Sequence, residues 1–591
     1  MRIDQSLTKS LIRLWRHIGQ QRQRQLVLLL GLTMSVAVFE IVSIGAIFPF
    51  LAVLTTPERV FGHVYIQPFV IWLGLTRPDQ LLLPLTAVFC TTVIIAGFMR
   101  MLLVWVQTRI SYAIGADIAL NVYRKTLHQP YAVHLSRNSS EIIDGVYRKA
   151  SSISSYMILP AVTIASTAIL LMAILVTLLA VDPLTSSMAL GGFTLIYGLV
   201  IKLIHRRLLK NSQLVADAAG RVIKSLQEGL GGIRDVLIDR AQELYCHVFR
   251  KADLSMRSAQ INSALIAQSP RFVVEALGML LIATLAYYLA SASGGLSSAI
   301  PTLGLLALGA QRLMPISQQA YQAWASIRSN QASLLDTLNL LDQPVLNNAD
   351  DSHLMPLPFE RDIQLKNLSF RYAPDADWVL RDVNLRIPKG SRVGFVGATG
   401  CGKSTMLDII MGLLEPTTGQ LAIDGLSIDA GNIGSWQKHI AHVPQSIFLA
   451  DSTIENNIAF AISPEMIDQE RVRQAAKQAN ILETIESWPD KFNTRVGERG
   501  IRLSGGQRQR IGIARALYKQ ADVLVFDEAT SALDNETERS VMESIQSLGS
   551  QITVLIIAHR LNTLSSCDLI VKLGFECAIQ IGDREALLSE M

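Results

Sequence analysis

Six apolar segments, each near the roughly 20 residues that cross a bilayer as a helix, occupy the first 316 positions of the chain. They lie near 26–54, 81–106, 158–180, 184–204, 264–290 and 299–316. Backbone inside hydrocarbon must satisfy its own hydrogen bonds, so such segments can only fold as membrane helices. The first is too long for the apolar core of a cleavable leader and lacks a small-residue cleavage site, which makes it a true membrane helix. With 591 residues, half of them hydrophobic, the chain is too apolar for a soluble enzyme and too long for one domain.

The polar breaks alternate. Those after the first, third and fifth segments are short or poor in Lys and Arg, whereas those after the second and fourth run to about 50–60 residues and carry the positive charge. Arg124, Lys125, Arg148 and Lys149 lie in one, and Arg206, Arg207, Lys210 and Arg221 in the other; Lys9, Arg13, Arg16, Arg22 and Arg24 precede the first segment. This asymmetry places both termini and both long loops in the cytoplasm of a multi-pass protein of the inner (plasma) membrane. The loops contain few Pro or Gly and read as helical extensions. They break at 137–141 and 228–232, where a short transverse helix could touch a cytoplasmic domain. The first outer loop holds the apolar, aromatic run Val64–Gly74, too short to span. It reads either as an outer helix packed on its neighbours or as an interfacial helix touching lipid or substrate. A net charge of +4 leaves no nucleic-acid footprint, and five scattered cysteines show neither metal nor disulfide spacing.

A polar, Pro-rich stretch at 342–361 divides a membrane domain, 1–341, from a C-terminal domain, 362–591. The latter contains Gly397-Ala398-Thr399-Gly400-Cys401-Gly402-Lys403-Ser404, a full match to the phosphate-loop pattern, followed by Thr405. A buried-strand pattern precedes it and a helical pattern follows. Its glycines bare successive backbone N–H groups toward a nucleotide's phosphates, Lys403 reaches the β- and γ-phosphates, and Ser404 holds Mg²⁺. Alkylation of Cys401 within this loop is expected to block ATP binding. The strand 523–527 ends in Asp527, a Mg²⁺ ligand, and Glu528, the general base toward the attacking water. Leu503-Ser504-Gly505-Gly506-Gln507 opens another helix as a second anion-binding terminus. With one phosphate loop and one such motif per chain, a motif that completes the site of another copy makes the enzyme a dimer.

This set resembles the nucleotide-binding domain of ABC transporters, and with six preceding helices nearly the whole chain resembles an exporter-type half-transporter. The resemblance implies a six-helix transmembrane domain of the type IV exporter fold followed by an α/β nucleotide-binding domain. It implies an ATPase that uses ATP and Mg²⁺ and works as a homodimer, with nothing requiring an unlike partner. It also assigns Tyr372 to adenine stacking, Gln445 to Mg²⁺ and the membrane domain, Asp534 to the loop crossing the dimer interface, and His559 to the γ-phosphate.

Ionisable residues inside membrane helices mark functional candidates: Glu40, Arg100, Arg271, Glu275 and Arg312. Three arginines against two glutamates leave one surplus positive charge per subunit, suited to a phosphate-bearing head group. The alternative is internal pairing, since Arg271 and Glu275 sit one turn apart and Arg100 could snorkel. The runs Phe39–Pro49, Pro270–Glu275 and Arg312–Pro315 resemble the lipid-linked oligosaccharide flippases among the exporters. That subgroup has a short external helix after its first membrane helix and uses cavity arginines for pyrophosphate. The resemblance therefore implies Arg100, Arg271 and Arg312 as substrate residues for a lipid-linked saccharide or similar anionic glycolipid. An exporter of another lipid, a drug or a peptide is the alternative.

Overall fold

The computed structural model describes residues 7–46, 50, 53, 57–62, 67–181, 183–291, 295–343, 355, 357–528, 535–547, 551–557, 564, 567–574 and 579–582. They divide into two compact units, one of 1–129 with 137–345 and one of 130–136 with 346–591.

The first unit is helical. An opening helix, α1 (Leu7–His17), precedes α2 (Gln20–Gly45) and α3 (Leu82–Leu127). A short α4 (Tyr131–Ser136), which belongs to the second unit, is followed by α5 (Leu159–Val181) and α6 (Pro183–Gly231). Next come the short α7 (Ile233–Ile238), α8 (Gln242–Ser291), α9 (Gly295–Ser329) and α10 (Gln331–Leu341). The six apolar segments fall one apiece on α2, α3, α5, α6, α8 and α9, the first of them as far as Gly45, with 47–49, 51, 52 and 54 outside the described residues. Among the described residues, Gln20–Ser43, Pro78–Leu127 and Asp144–Thr177 are long and apolar enough to cross a membrane, with mean hydropathies of 2.3, 2.2 and 2.4. At 1.5 Å per residue, the 49 residues of α6 and the 50 of α8 extend about 75 Å, more than twice the hydrocarbon thickness. The long polar loops are therefore continuations of these helices. The two breaks are shorter than the sequence suggests: the chain leaves the helix at 137 and 138, between α4 and a helix at Ser139–Ile143, and at Gly232, between α6 and α7.

Ahead of α5 the chain is already helical, with π turns at Asp144–Lys149 and Ser154–Ile158. The second lies where α3 comes closest. A Cβ at Gly115 would sit 1.5 Å from the Ser154 hydroxyl, so only glycine allows this approach. Ile114, Ile118 and Val122 line one face of α3 at helical spacing. They are buried in one cluster with Ile153 and Met157, with Leu334, Leu338 and Leu341 of α10, and with Leu14 of α1. Arg13 and His17 of α1 both bond the carboxylate of Asp342, at 3.0 Å (Nε) and 2.7 Å (Nε2).

The second unit carries two sheets. Strands β1 (Asp362–Phe370), β2 (Leu380–Pro388), β4 (Thr418–Ile423) and β5 (Leu426–Ser427) form an antiparallel sheet in the order β2-β1-β4-β5. Strands β3 (Arg392–Gly397), β6 (Ile440–Val443), β7 (Val523–Asp527), β8 (Thr553–Ile557), β9 (Leu569–Leu573) and β10 (Ile579–Gly582) form the other, in the order β10-β9-β3-β8-β7-β6. All of its pairings are parallel except β9 with β10. Burial on both faces explains the unbroken apolar runs of β7 and β8. Val523 and Val525 point to a cluster with Met406, Leu407 and Ile410, while Leu524 and Phe526 point to one with Ile511 and Ala514.

Asp424, just after β4, ties that strand to the start of the neighbouring β1. Its carboxylate accepts backbone N–H bonds from Glu360, Arg361 and Asp362 at 2.6, 2.8 and 2.9 Å. Partial burial pushes its carboxyl up, but these donors outweigh it and hold the carboxyl below its usual value of 3.8. A depressed carboxylate stabilises above its unfolded value and loses that contribution as pH falls through the folded one. Asp424→Ala should cost about 1 kcal/mol at pH 7. In urea titrations against pH, the gap between the two proteins should close below the usual carboxylate range.

Candidate nucleotide site

The site forms where the parallel strands end. β3 and β7, separated by β8, deliver the phosphate loop and the Asp527-Glu528 pair to one carboxyl edge of the sheet. The loop's conformation demands its glycines: Gly397, Gly400 and Gly402 have φ of +150°, +87° and +95°. A Cβ on Gly397 would also fall 2.3 Å from the Leu573 carbonyl oxygen.

Gly402 opens α11 (Lys403–Ile410). Lys403, 7% exposed, donates from Nζ to the carbonyls of Gly397 and Ala398, at 2.9 Å each. The Cys401 sulfur lies 4.0 Å from the Lys403 ammonium and is itself buried, so alkylation there requires the loop to open. Ser404 Oγ stands 3.4 Å from Asp527 Oδ1, a hydroxyl beside a carboxylate. Oxygen donors of this kind suit Mg²⁺. Among the described residues no three His, Cys, Asp or Glu side chains converge on a self-contained metal site. Ser404 and Asp527, with Gln445 close by on Glu528, would hold such an ion beside phosphate and water.

Glu528 follows the strand at φ +50°, a strained left-handed conformation for a non-glycine residue. That turn swings its side chain out of the β7 alternation, where it accepts a 2.6 Å bond from Gln445 Nε2. Tyr372 stacks edge-on against Phe370 at 5.0 Å, and its hydroxyl lies 2.9 Å from Thr405 Oγ1. Strand end, loop, first helical turn and this aromatic therefore meet. Leu503 is buried beside the start of α12 (Gly505–Lys519). There Ser504 Oγ accepts from the Gln507 amide at 3.2 Å and Gln507 Oε1 accepts from the Ser504 amide at 2.9 Å. This reciprocal cap leaves the N–H groups of Gly505 and Gly506 at a helix terminus suited to an anion. Asp534 and His559 lie outside the described residues.

Two residues escaped sequence reasoning. Asp408 lies one helical turn beyond Ser404, a spacing that could have flagged it. Burial first, then the charge of Asp527, pushes its carboxyl up to about 6. Tyr131, on α4, titrates high through burial and through the neighbouring Asp408 and Tyr372, which puts that helix beside the nucleotide site.

In the membrane helices, Arg100 Nη2 is bonded to Glu40 Oε1, and Glu40 is only 1% exposed. Arg271 Nε lies 4.0 Å from Glu275 Oε2 along α8. Arg271 with Glu275 is the pair that the helical spacing offered, whereas Arg100 meets Glu40 of another helix instead of snorkelling. Arg312 is on α9, and its side chain lies outside the described residues.

A six-helix membrane unit fused to a phosphate-loop domain with this edge constellation defines an ATP-hydrolysing membrane transporter of the type IV exporter fold. The chain belongs to the ABC transporters: the family described as ABC transporter transmembrane region matches residues 28–306, and ABC transporter matches 380–531. It is 32% identical to an ATP-dependent lipid A-core flippase of Alkalilimnicola ehrlichii over 410 residues, 68% of each chain. It is 27% identical to the protein of that name from Cupriavidus pinatubonensis over 521 residues, 85% of each chain. The heterocyst differentiation ATP-binding protein HepA of Nostoc is 33% identical over 66% of this chain and 63% of its own. A solved bacterial Atm1-family ABC exporter with ATP bound superposes with a TM-score of 0.77 at 23% identity, covering 97% of this chain and 96% of that one. ATP hydrolysis coupled to transport follows from the family.

Proposed function

We propose that two copies of this chain form a homodimer in the inner membrane and flip a lipid-linked oligosaccharide, or a similar anionic glycolipid, to the outer leaflet. The observation that carries the lipid reading is the outer helix Gln67–Trp72. It buries Val70 while Ile71 and Trp72 stand 77% and 78% exposed, the division of an interfacial helix in contact with lipid. The names of the flippase relatives support a lipid cargo. Arg100 and Arg271 each lie beside a glutamate, and we assign the third arginine, Arg312, to the cargo's phosphate.

Two observations support the homodimer. The motif at 503–507 and the phosphate loop occur once each, so two copies would supply two complete sites. The cytoplasmic end of the second long loop exposes Leu230, Leu237 and Ile238, apolar surface outside the membrane that a second copy would cover.

In the chemical step Mg²⁺ would supply charge neutralisation at the β- and γ-phosphates. Lys403 and the loop amides would hold the phosphates, Tyr372 the base, and Ser404, Asp527 and Gln445 the ion. Glu528 takes a proton from the attacking water, His559 steadies the γ-phosphate, and Ser504 with Asp534 completes the site across the dimer. The cytoplasmic domains would pass closure to the membrane helices through the turns near Asn138–Ile143 and Gly229–Ile233.

The test is reconstitution with a polyprenyl-pyrophosphate oligosaccharide. Arg312→Ala should lose most of the flipping while basal ATPase survives. ATPase that responds to amphiphilic drugs and ignores Arg312→Ala would replace the glycolipid with another cargo.

A further inference from the structure

Between α2 and α3 lies a groove of about 380 Å³ that the transport cycle above does not use, lined by Arg22, Gln25, Leu28, Leu32, Arg109 and Ile110 among others. Its composition is graded. On α2 the polar run Gln20–Gln25 gives way to the apolar segment at Leu26, and on α3 the apolar segment gives way to Gln107, Thr108 and Arg109. The groove thus straddles the cytoplasmic boundary of the membrane. Its apolar side chains lie on the hydrocarbon side and its two guanidinium groups lie at the water side.

Both cations are positioned. Arg22 donates from Nε to Asp117 at 2.8 Å and from Nη1 to Gln25 at 3.0 Å, which fixes its guanidinium plane. The Arg109 guanidinium lies 5.3 Å from the ring centroid of Trp105, an exposed indole at the depth where tryptophans anchor to head groups. Among the described residues lining the groove none is a carboxylate, but Asp117, one turn past Ala113, is ion-paired with Arg22, so Arg109 supplies most of the positive charge offered to a ligand. Two forks of N–H donors above an apolar channel match a phosphodiester carried on acyl chains.

We infer that this groove binds an anionic phospholipid of the inner leaflet, with its phosphate between Arg22 and Arg109 and one acyl chain along Leu28, Leu29, Leu32 and Val106. The bound lipid is a structural partner of the first two membrane helices, distinct from the cargo. The inference rests on the membrane placement of α2 and α3 and not on the identity of the cargo.

The full-length protein, purified in detergent and titrated with phosphatidylglycerol or phosphatidylcholine, can be read by native mass spectrometry. Phosphatidylglycerol should bind more tightly than phosphatidylcholine, with a preference of about fivefold for each arginine engaged. Arg109→Ala should lower that preference by about fivefold, while Arg109→Lys retains part of it. Leu28→Trp, which fills the apolar channel and leaves both charges, should lower occupancy by both lipids. Equal binding of the two lipids by the wild type, or an unchanged preference in Arg109→Ala, would overturn the site. Flipping activity is not the readout, so the outcome stands whatever cargo is moved.

Discussion

Glu528→Gln abolishes most steady-state ATP hydrolysis, by about 10²–10⁴-fold, while ATP binding survives. The geometry argues for both halves of this result. Glu528 sits one residue beyond the strand that presents Asp527, in a left-handed backbone conformation at φ +50° that costs about 1 kcal/mol or more. That strain places its carboxylate at the open edge of the sheet, held 2.6 Å from Gln445 Nε2. Glutamine preserves the size and much of the hydrogen bonding but cannot take a proton from water. The groups that would bind nucleotide, Lys403, Ser404 and Tyr372, are untouched. A variant with full ATPase would remove Glu528 from the chemistry.

Lys403→Ala weakens ATP binding by about a hundredfold, close to 3 kcal/mol, because charge-assisted bonds to phosphate contribute about 1.5–3 kcal/mol each. In this structure the ammonium is buried and satisfied by two loop carbonyls at 2.9 Å. It is therefore pre-positioned, and little ordering cost is left for the bound state. Alanine removes the charge and also leaves the Gly397 and Ala398 carbonyls without this donor, so the loop itself loosens. Equilibrium binding of a fluorescent ATP analogue checks this, and an affinity within about twofold of wild type, a difference near 0.4 kcal/mol, would contradict it.

The contrast between the two halves of the chain has a physical basis. The sheet edge that gathers the phosphate loop and the two carboxylates was legible because each part uses a short contiguous signal. Glycines with positive φ, a capping Ser504 with Gln507 three residues on, and an apolar strand ending in two carboxylates all announce themselves locally. Asp408 and Tyr131 were not legible, because their meaning comes from burial and from a neighbour distant in sequence. The six membrane helices were legible from length and hydropathy alone. The partners of their charged residues were only partly so: Arg271 with Glu275 is a helical spacing, whereas Arg100 with Glu40 joins different helices, 60 positions apart. The helical loop extensions followed from their scarcity of Pro and Gly. The π turns beside Gly115 had no sequence signal, since they answer to the packing of α3.

ATP-driven movement of a polyprenyl-pyrophosphate oligosaccharide, followed in proteoliposomes by the access of a membrane-impermeant reagent to the glycan, tests the account at its centre. Wild-type protein with Mg²⁺ and ATP should change the leaflet of the glycolipid, and Glu528→Gln should not. Equal rates for the two proteins, or ATP hydrolysis by wild type with no glycolipid movement, would contradict it.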